Sequence, residues 1–352
     1  MKTNPLVSII IPCYNGENFV YRLLNSIQEQ TYSNIEVVFV NDGSQDKTEE
    51  IATQYLKKMN NRGMQCHYIY QENGGVCSAI NRGLAIFHGD YIMYPNSDDW
   101  MFPDCVRKMV EYMEANREKG TVISKGAVVS EKNPKKVIGV LERKNTSSGW
   151  LFEDLVFGRD IYFGSAGWMT RAEFFLQVLP ERKIYECRHG QNWQLYLPVL
   201  YKYESGFLED VLWCYQIRDN SVEHQVKEFQ DQIDRTYQYE NILKHVLSSI
   251  EMPESARQNY LNKIRINYIH TRLQIAMRHH NISALREEYM NLRKENDITV
   301  KDKIYYLCGK YPLVFVICKA MWYPVKAIKA LRRKVYIAQY NRKDEYSVSY
   351  DR

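Results

Sequence analysis

Four times in the first hundred residues an apolar run gives way to a polar turn, and three times a helical spacing of apolar positions follows. Residues 6–11, LVSIII, are β-branched and nearly continuous, which predicts a central strand covered on both faces. Pro12 ends it. Phe19, Val20, Leu23, Leu24 and Ile27 then follow the helical period, with Asn15 as the candidate cap. Residues 35–40, IEVVFV, predict a second buried strand, and the turn NDGSQD leads into a helix with Ile51, Ala52, Tyr55 and Leu56 inward. Asp46 followed by Glu49 offers a capping box there. CHYIY, residues 66–70, is the third strand and QENGG its turn; Val76, Ala79, Ile80, Gly83, Leu84 and Phe87 mark the next helix. YIMY, residues 91–94, is the fourth strand, stopped by Pro95, and Pro103 can open a helix running through Val106, Met109, Val110 and Met113.

This alternation with short links predicts an α/β fold with a doubly wound, mainly parallel sheet. The positional consequence matters more. PCYN, NDGS, QENGG and NSDD each follow a strand, so all four loops share the carboxyl edge of one sheet, where open α/β sheets bind ligands. Downstream, residues 121–129 read as strand and 130–148 as a polar loop or hairpin carrying five bases. Residues 150–157 read as a short helix, 163–175 as a small-residue turn running into a helix, and 188–201 as a turn and helix. Residues 205–221 read as one or two closing strands. From Val222 the pattern is helical, charged and free of glycine as far as Asn296, with Pro253 as a break. The last part mixes aromatic, apolar and basic residues, including Lys319, Lys326, Lys329, Arg332, Arg333 and Lys334 with Tyr311, Trp322 and Tyr323. The expected division is 1–221, split into 1–104 and 105–221, then a helical extension 222–300 and a basic aromatic segment 301–352. That segment reads either as a packed helix with a solvated face or as an interfacial membrane segment.

Composition narrows the class. The chain has 352 residues, 45% hydrophobic and 25% charged, enough for a large core and an extension. A net charge of +5 is too weak to indicate nucleic acid, yet suits phosphorylated ligands or an anionic membrane surface. Eight cysteines form no CxxC or zinc-type spacing, and most sit in apolar runs, as reduced thiols do in a cytoplasmic protein. No signal peptide and no apolar run long enough to span a bilayer is read. The expected place is the cytoplasm, with the inner membrane face as a peripheral site.

The densest chemistry lies in YIMYPNSDDWMFPD, residues 91–104. Asn96, Asp98 and Asp99 put three oxygen-bearing side chains within four positions. Adjacent carboxylates repel unless a cation or donor-rich ligand lies between them. Hard oxygen donors on a short loop suit Mg²⁺ or Mn²⁺ bound with substrate phosphates. A solvated turn is the other reading.

VSIIIPCYNGENFVYRLLNSIQEQTYSNIEVVFVNDGSQDKT, then ENGGVCSAINRGL, then GDYIMYPNSDDWMFPD together resemble the family 2 glycosyltransferases of the GT-A fold. The resemblance covers about the first 110 residues and weakens toward Ser221. It implies transfer of a sugar from a nucleotide diphosphate sugar, UDP-linked by expectation, to a hydroxyl with inversion, assisted by Mg²⁺ or Mn²⁺. It implies donor contacts from Pro12, Tyr14, Asn15, Asn41, Asp42, Gln71, Gly75, Arg82, Asn96 and Asp98. It makes Asp99, with Asp98, the metal ligands. Asn41 and Asn96 stand where the family often has Asp.

The family usually supplies a base from an acidic pair at the start of a helix after the acceptor loop. This sequence has Gln191-Asn192 there, in RHGQNWQLYLP. An amide is no base. His189 and Glu186 are the nearby candidates, Glu153, Asp154 and Asp210 more distant ones, and Asn192 can orient an acceptor hydroxyl. The expected acceptor is a glycan or lipid-linked glycan in cell-surface polysaccharide synthesis. Two other readings stay open: a donor-binding pseudo-transferase without a base, and a sugar-nucleotide pyrophosphorylase. The second lacks its Gly-rich GxGxR loop, because PCYNG occupies that place.

Overall fold

A computed structural model describes residues 4–162, 164–218 and 227–341. The readings at Phe163, Ser221 and Val222, and those on residues 342–352, lie outside the described residues. Two units are present, residues 4–218 with 339–341 and residues 227–338.

The first unit begins with β1 (Val7–Cys13), α1 (Val20–Gln28), β2 (Ile35–Asp42), α2 (Thr48–Asn60), β3 (Gln65–Gln71), α3 (Val76–Ile86) and β4 (Tyr91–Met93). After β5 (Trp100–Met101) come α4 (Cys105–Ala115), β6 (Thr121–Ser130), β7 (Asn133–Leu141), α5 (Phe152–Phe157), β8 (Trp168–Arg171), α6 (Ala172–Val178), α7 (Gln191–Lys202) and β9 (Ser205–Ile217). Among the described residues the strands form one sheet in the order β3-β2-β1-β4-β8-β6-β9-β5, with β7 paired to β6. β1 to β4 pair in parallel, and β6 with β9 likewise. β5, β7 and β8 run against their neighbours, so the sheet is mixed beyond β4. β7 must reverse because only residues 131 and 132 separate it from β6, too few for a parallel crossover.

The expected central strand is central for the expected reason. Ile9, Ile10 and Ile11 are all fully buried, since β1 lies between β2 and β4 and both of its faces are covered. Trp213 on β9 closes the other half of the core. A Cβ at Gly164 or Gly167 would fall 1.9–2.0 Å from its ring, so those glycines are what let the backbone close on the indole.

Several local expectations are corrected. Asn15 does not cap α1, which begins at Val20 behind Phe19. Asn15 is left-handed (φ 48°), and its side-chain oxygen accepts from the Gln45 N–H, tying the first loop to the second. Asp46 and Glu49 form no capping box: α2 starts at Thr48, and Asp46 instead accepts from the Thr48 and Glu17 N–H groups. Pro103 precedes its helix, whose N-cap is Asp104. Trp100 and Met101, read only as residues after a loop, form a strand against Cys214 and Trp213.

The second unit is helical: α8 (Phe229–Ser249), α9 (Glu254–Arg278), α10 (Ile282–Lys294), α11 (Val300–Lys310) and α12 (Pro312–Tyr340). Its core joins Ile269, Leu273, Ala276, Leu285, Leu292 and Cys308. Buried Arg272 is bonded to Glu288 at 3.1 Å and Glu240 at 3.2 Å. On α12, Leu313, Val316, Ile317, Leu331 and Val335 are exposed, as are Lys326, Lys329 and Arg332. Among the described residues no helix is long and apolar enough to cross a membrane.

Candidate active site

The carboxyl ends of β1 to β4 are adjacent, so the loops that follow them meet along one edge. Their backbones are laced together. The Asn15 N–H donates to Ser44 Oγ at 2.9 Å, and the Gly16 N–H to Thr48 Oγ1 at 2.6 Å. Asn41 accepts from the Ser44 N–H and donates to the Tyr68 hydroxyl, both at 2.9 Å. Pro12 is half-buried, whereas Tyr14 is 48% exposed, leaving an aromatic face for a base to stack on.

Asp42 is the knot of this edge. It is buried, and one carboxylate oxygen accepts from Gln71 Nε2 at 2.6 Å and from the Gly74 N–H at 2.9 Å. The other accepts from the Gly75 N–H at 3.0 Å. Asp42 therefore shapes the Gly74-Gly75 turn from the neighbouring strand. Gly75 needs to be glycine, because its φ is 89°. A side chain there would also meet Arg188 Cγ at 3.3 Å, so the stretch before α7 comes up against the Gly74-Gly75 turn. Among the described residues, Gln71 Oε1 is buried without a hydrogen-bond partner.

The two acids of NSDD are treated differently. Asp98 is partly exposed and pairs with Arg218 at 2.7 Å, and the Arg218 guanidinium also lies 4.2 Å over the Phe19 ring. Asp99, expected on a loop at the sheet edge rather than in the core, is fully buried. Among the described residues it accepts two long bonds, from Asn96 Nδ2 at 3.2 Å and the Gln216 N–H at 3.4 Å. Burial, and then the charge of Asp98, push its carboxyl well above the usual carboxylate range. An under-compensated buried carboxylate beside a second one is a donor set that a hard divalent cation relieves.

α7 starts at Gln191 behind Gly190, which is left-handed and offers no side-chain cap, so Gln191 and Asn192 occupy its first turn. Glu186 is exposed and pairs with Lys183 at 3.5 Å. It lines an open cleft of about 410 Å³ together with Ser78, Asn81, Arg82, Arg182 and Lys183. Asn81 holds the wall of that cleft through two bonds to the Ile184 backbone, at 2.8 and 2.9 Å. His189 is half-buried, and its carbonyl accepts from Cys187 Sγ at 2.9 Å. Of the more distant acids, Asp154 is committed to Arg143 and Asp210 to Lys108, each at 2.5 Å. Glu153 sits in the first turn of α5.

Arg218, Gln216 and Arg188 were not singled out in the sequence. Gly74 was legible as half of a Gly-Gly turn. Arg218 and Gln216 reach the acids only because β9 returns from more than 100 residues away, and sequence spacing carries no signal of that.

Residues 8–175 match the family described as Glycosyl transferase family 2. An uncharacterised glycosyltransferase of Rickettsia typhi is 41% identical over 126 residues, 35% of this chain and 37% of that protein. The glycosyltransferase GlyA of Streptococcus pneumoniae is 42% identical over 116 residues, 32% of this chain and 16% of GlyA. The matched stretch thus spans little more than a third of these relatives at most. Among solved structures, S. aureus TarS 1–349 in complex with UDP-GlcNAc aligns with a TM-score of 0.57 at 15% identity, over 86% of this chain and 87% of that one. The mannosyltransferase PcManGT from Pyrobaculum calidifontis, in complex with GDP-Man and Mn²⁺, aligns at 0.52 and 16% identity, over 97% and 88%. Residues 8–175 are thus similar to glycosyl transferase family 2, and the fold is of the GT-A type.

Proposed function

We propose that this chain is an inverting glycosyltransferase that moves a sugar from a nucleotide diphosphate sugar, UDP-linked, to a hydroxyl of a glycan or lipid-linked acceptor. The observation that carries the reading is the Asp42 knot: one buried carboxylate holds Gln71 and the two glycine N–H groups of the adjacent loop. That arrangement preforms a backbone turn on the same sheet edge as the exposed Tyr14, which suits a ligand with a flat base and a diphosphate. The neighbours bound to UDP-GlcNAc and GDP-Man support a nucleotide-sugar donor.

Asp98 and Asp99, with Asn96, would hold Mg²⁺ or Mn²⁺. Such an ion neutralises charge growing on a leaving diphosphate. The chain's own contributions follow from its geometry. Tyr14 and Asn41 bind the base, while Arg218 fixes Asp98 in one orientation. The first turn of α7 faces an acceptor, where the Asn192 amide orients its hydroxyl. The proton goes to His189 or Glu186. The site of action we propose is the cytoplasmic side of the membrane, in polysaccharide synthesis.

The test is a thermal-shift series with UDP-, GDP- and dTDP-sugars in Mn²⁺ and in EDTA, followed by measurement of donor turnover. A shift with UDP-sugar that needs the metal, together with sugar transfer or donor hydrolysis, is expected. No response to any nucleotide sugar overturns the reading. Gln191 and Asn192 in the first turn of α7 favour one second reading, a donor-binding pseudo-transferase. Its signature is a metal-dependent shift without turnover under any acceptor.

A further inference from the structure

The other edge of the same sheet carries a cluster that the donor chemistry does not use. Glu36 is the second residue of β2, at the end opposite Asp42, and it is fully buried. Ser8 is its register partner on β1, and His67 on β3 is the partner of Val38, two positions along. Side chains two apart on a strand share a face, so Ser8, Glu36 and His67 point the same way. His88 joins them from the link between α3 and β4. Glu36 Oε2 accepts from the Ser8 hydroxyl and from the His88 N–H at 2.9 Å. Glu36 Oε1 faces both rings, at 2.7 Å from His88 Nδ1 and 3.4 Å from His67 Nε2. His67 Nε2 is buried and, among the described residues, makes no hydrogen bond. Burial pushes the Glu36 carboxyl up, but the bonds from Ser8 and His88 outweigh it and hold it below its ordinary value, so the carboxylate is ionised at neutral pH.

We propose that Glu36, His67 and His88 form a binding site for a divalent transition metal, Zn²⁺ by preference, separate from the acids at the carboxyl edge. The three ligand atoms, one oxygen and two imidazole nitrogens, lie within 4.8 Å of one another. Two imidazoles and a carboxylate are a zinc donor set with a fourth position for water. With bonds of about 2.0–2.1 Å, tetrahedral ligand atoms stand about 3.3 Å apart. The Glu36–His67 spacing of 3.4 Å already fits. The His88 ring must withdraw by about half an ångström on that geometry, and it is free to do so because its side chain is 68% exposed. Ser8 and the His88 N–H hold the second carboxylate oxygen and so fix the ligand's direction. The His67 nitrogen gains a direct bond in place of its 3.4 Å contact with Glu36 Oε1. A bound ion would pin the α3–β4 link to β2 and β3, and would stabilise the parallel half of the sheet.

The whole chain, stripped of metal and free of nucleotide, is titrated with Zn²⁺ and followed by calorimetry and melting. Co²⁺ reports the geometry through its visible absorption. One zinc per chain, a rise in melting temperature and a four-coordinate Co²⁺ spectrum are expected. His67→Gln and His88→Gln alter partly exposed rings and should fold, and each should abolish the rise. Asp98→Asn, at the opposite edge, should keep it, which separates this site from the donor metal. No zinc-dependent rise in the wild type, or a rise that persists when both histidines are replaced, overturns the proposal.

Discussion

The half of the sheet built from β1 to β4 and the half built from β6, β8 and β9 hold their site residues by different means. In the first, each polar residue sits at the end of its own strand, and the network around Asp42 joins loops of adjacent parallel strands. In the second, the critical contacts come from far along the chain: Arg218 to Asp98, the Gln216 N–H to Asp99, Arg188 against Gly75. The first half can preform a ligand turn from local units. The second completes it, and neutralises charge that the first half leaves uncompensated. Donor recognition should therefore belong to the first half and tolerate change in the second, whereas catalysis should need both.

The strongest way to break this division is at Asp99, where the halves meet. Asp99→Asn should lower transfer by orders of magnitude, because it would remove an anionic ligand from the proposed metal site. Its effect on stability should have the opposite sign. The folded Asp99 carboxyl lies above its unfolded value, so its stabilising contribution is present below about pH 4 and is lost as pH rises through the folded value. In EDTA, the wild type should lose melting temperature against Asp99→Asn as the pH moves from acid to neutral. Parallel pH curves for the two proteins would contradict the uncompensated burial.

Next in size is the base. Either His189→Ala or Glu186→Gln should cut turnover by at least about a hundredfold, the range of general-base catalysis, while donor binding survives in both. Near-normal turnover in both single variants would move the base elsewhere. Asn192→Ala should weaken acceptor use only modestly, read as a change in KM for acceptor.

Donor binding itself sharpens the contrast. UDP should raise the melting temperature with Mg²⁺ or Mn²⁺ and not in EDTA. Asp42→Ala should abolish that rise, since it leaves two glycine N–H groups and Gln71 without their acceptor. Equal stabilisation by UDP in EDTA would remove the metal from donor binding.

The smallest effect concerns α12, whose exposed Lys326, Lys329 and Arg332 accompany exposed apolar residues. Binding to anionic vesicles should be salt-sensitive, and each base replaced by Glu should weaken it by about 1 kcal/mol or more. Co-sedimentation measures this, and no binding to anionic vesicles ends the interfacial reading.

The strands and helices of the first hundred residues were legible because both periods are local properties of the chain. Buried residues 9–11 demand a covered strand wherever they occur, and strand–turn–helix order places each following turn at the same edge. NDGS, QENGG and NSDD could thus be assigned to one site before any contact was known. Turn chemistry was read less well. Asn15 and Asp46 have the right side chains for helix caps, but Asn15 spends its oxygen on the neighbouring loop and Asp46 divides its two between the Glu17 and Thr48 N–H groups, and the choice depends on what lies opposite.

Tertiary structure alone decided which carboxylate is buried, which is ion-paired and which backbone groups they meet. Asp98 and Asp99 are adjacent and chemically identical in the sequence, yet one holds a guanidinium from the end of β9 and the other lies wholly out of solvent. The same holds for Glu36, His67 and His88, which are 21 to 52 residues apart and meet only through strand register and the α3 crossover. The sequence determined the element types and the common edge, because hydrophobic period acts over a few residues. Charge environment depends on the dielectric and on partners within a few ångströms, and those are set by segments far apart in the chain.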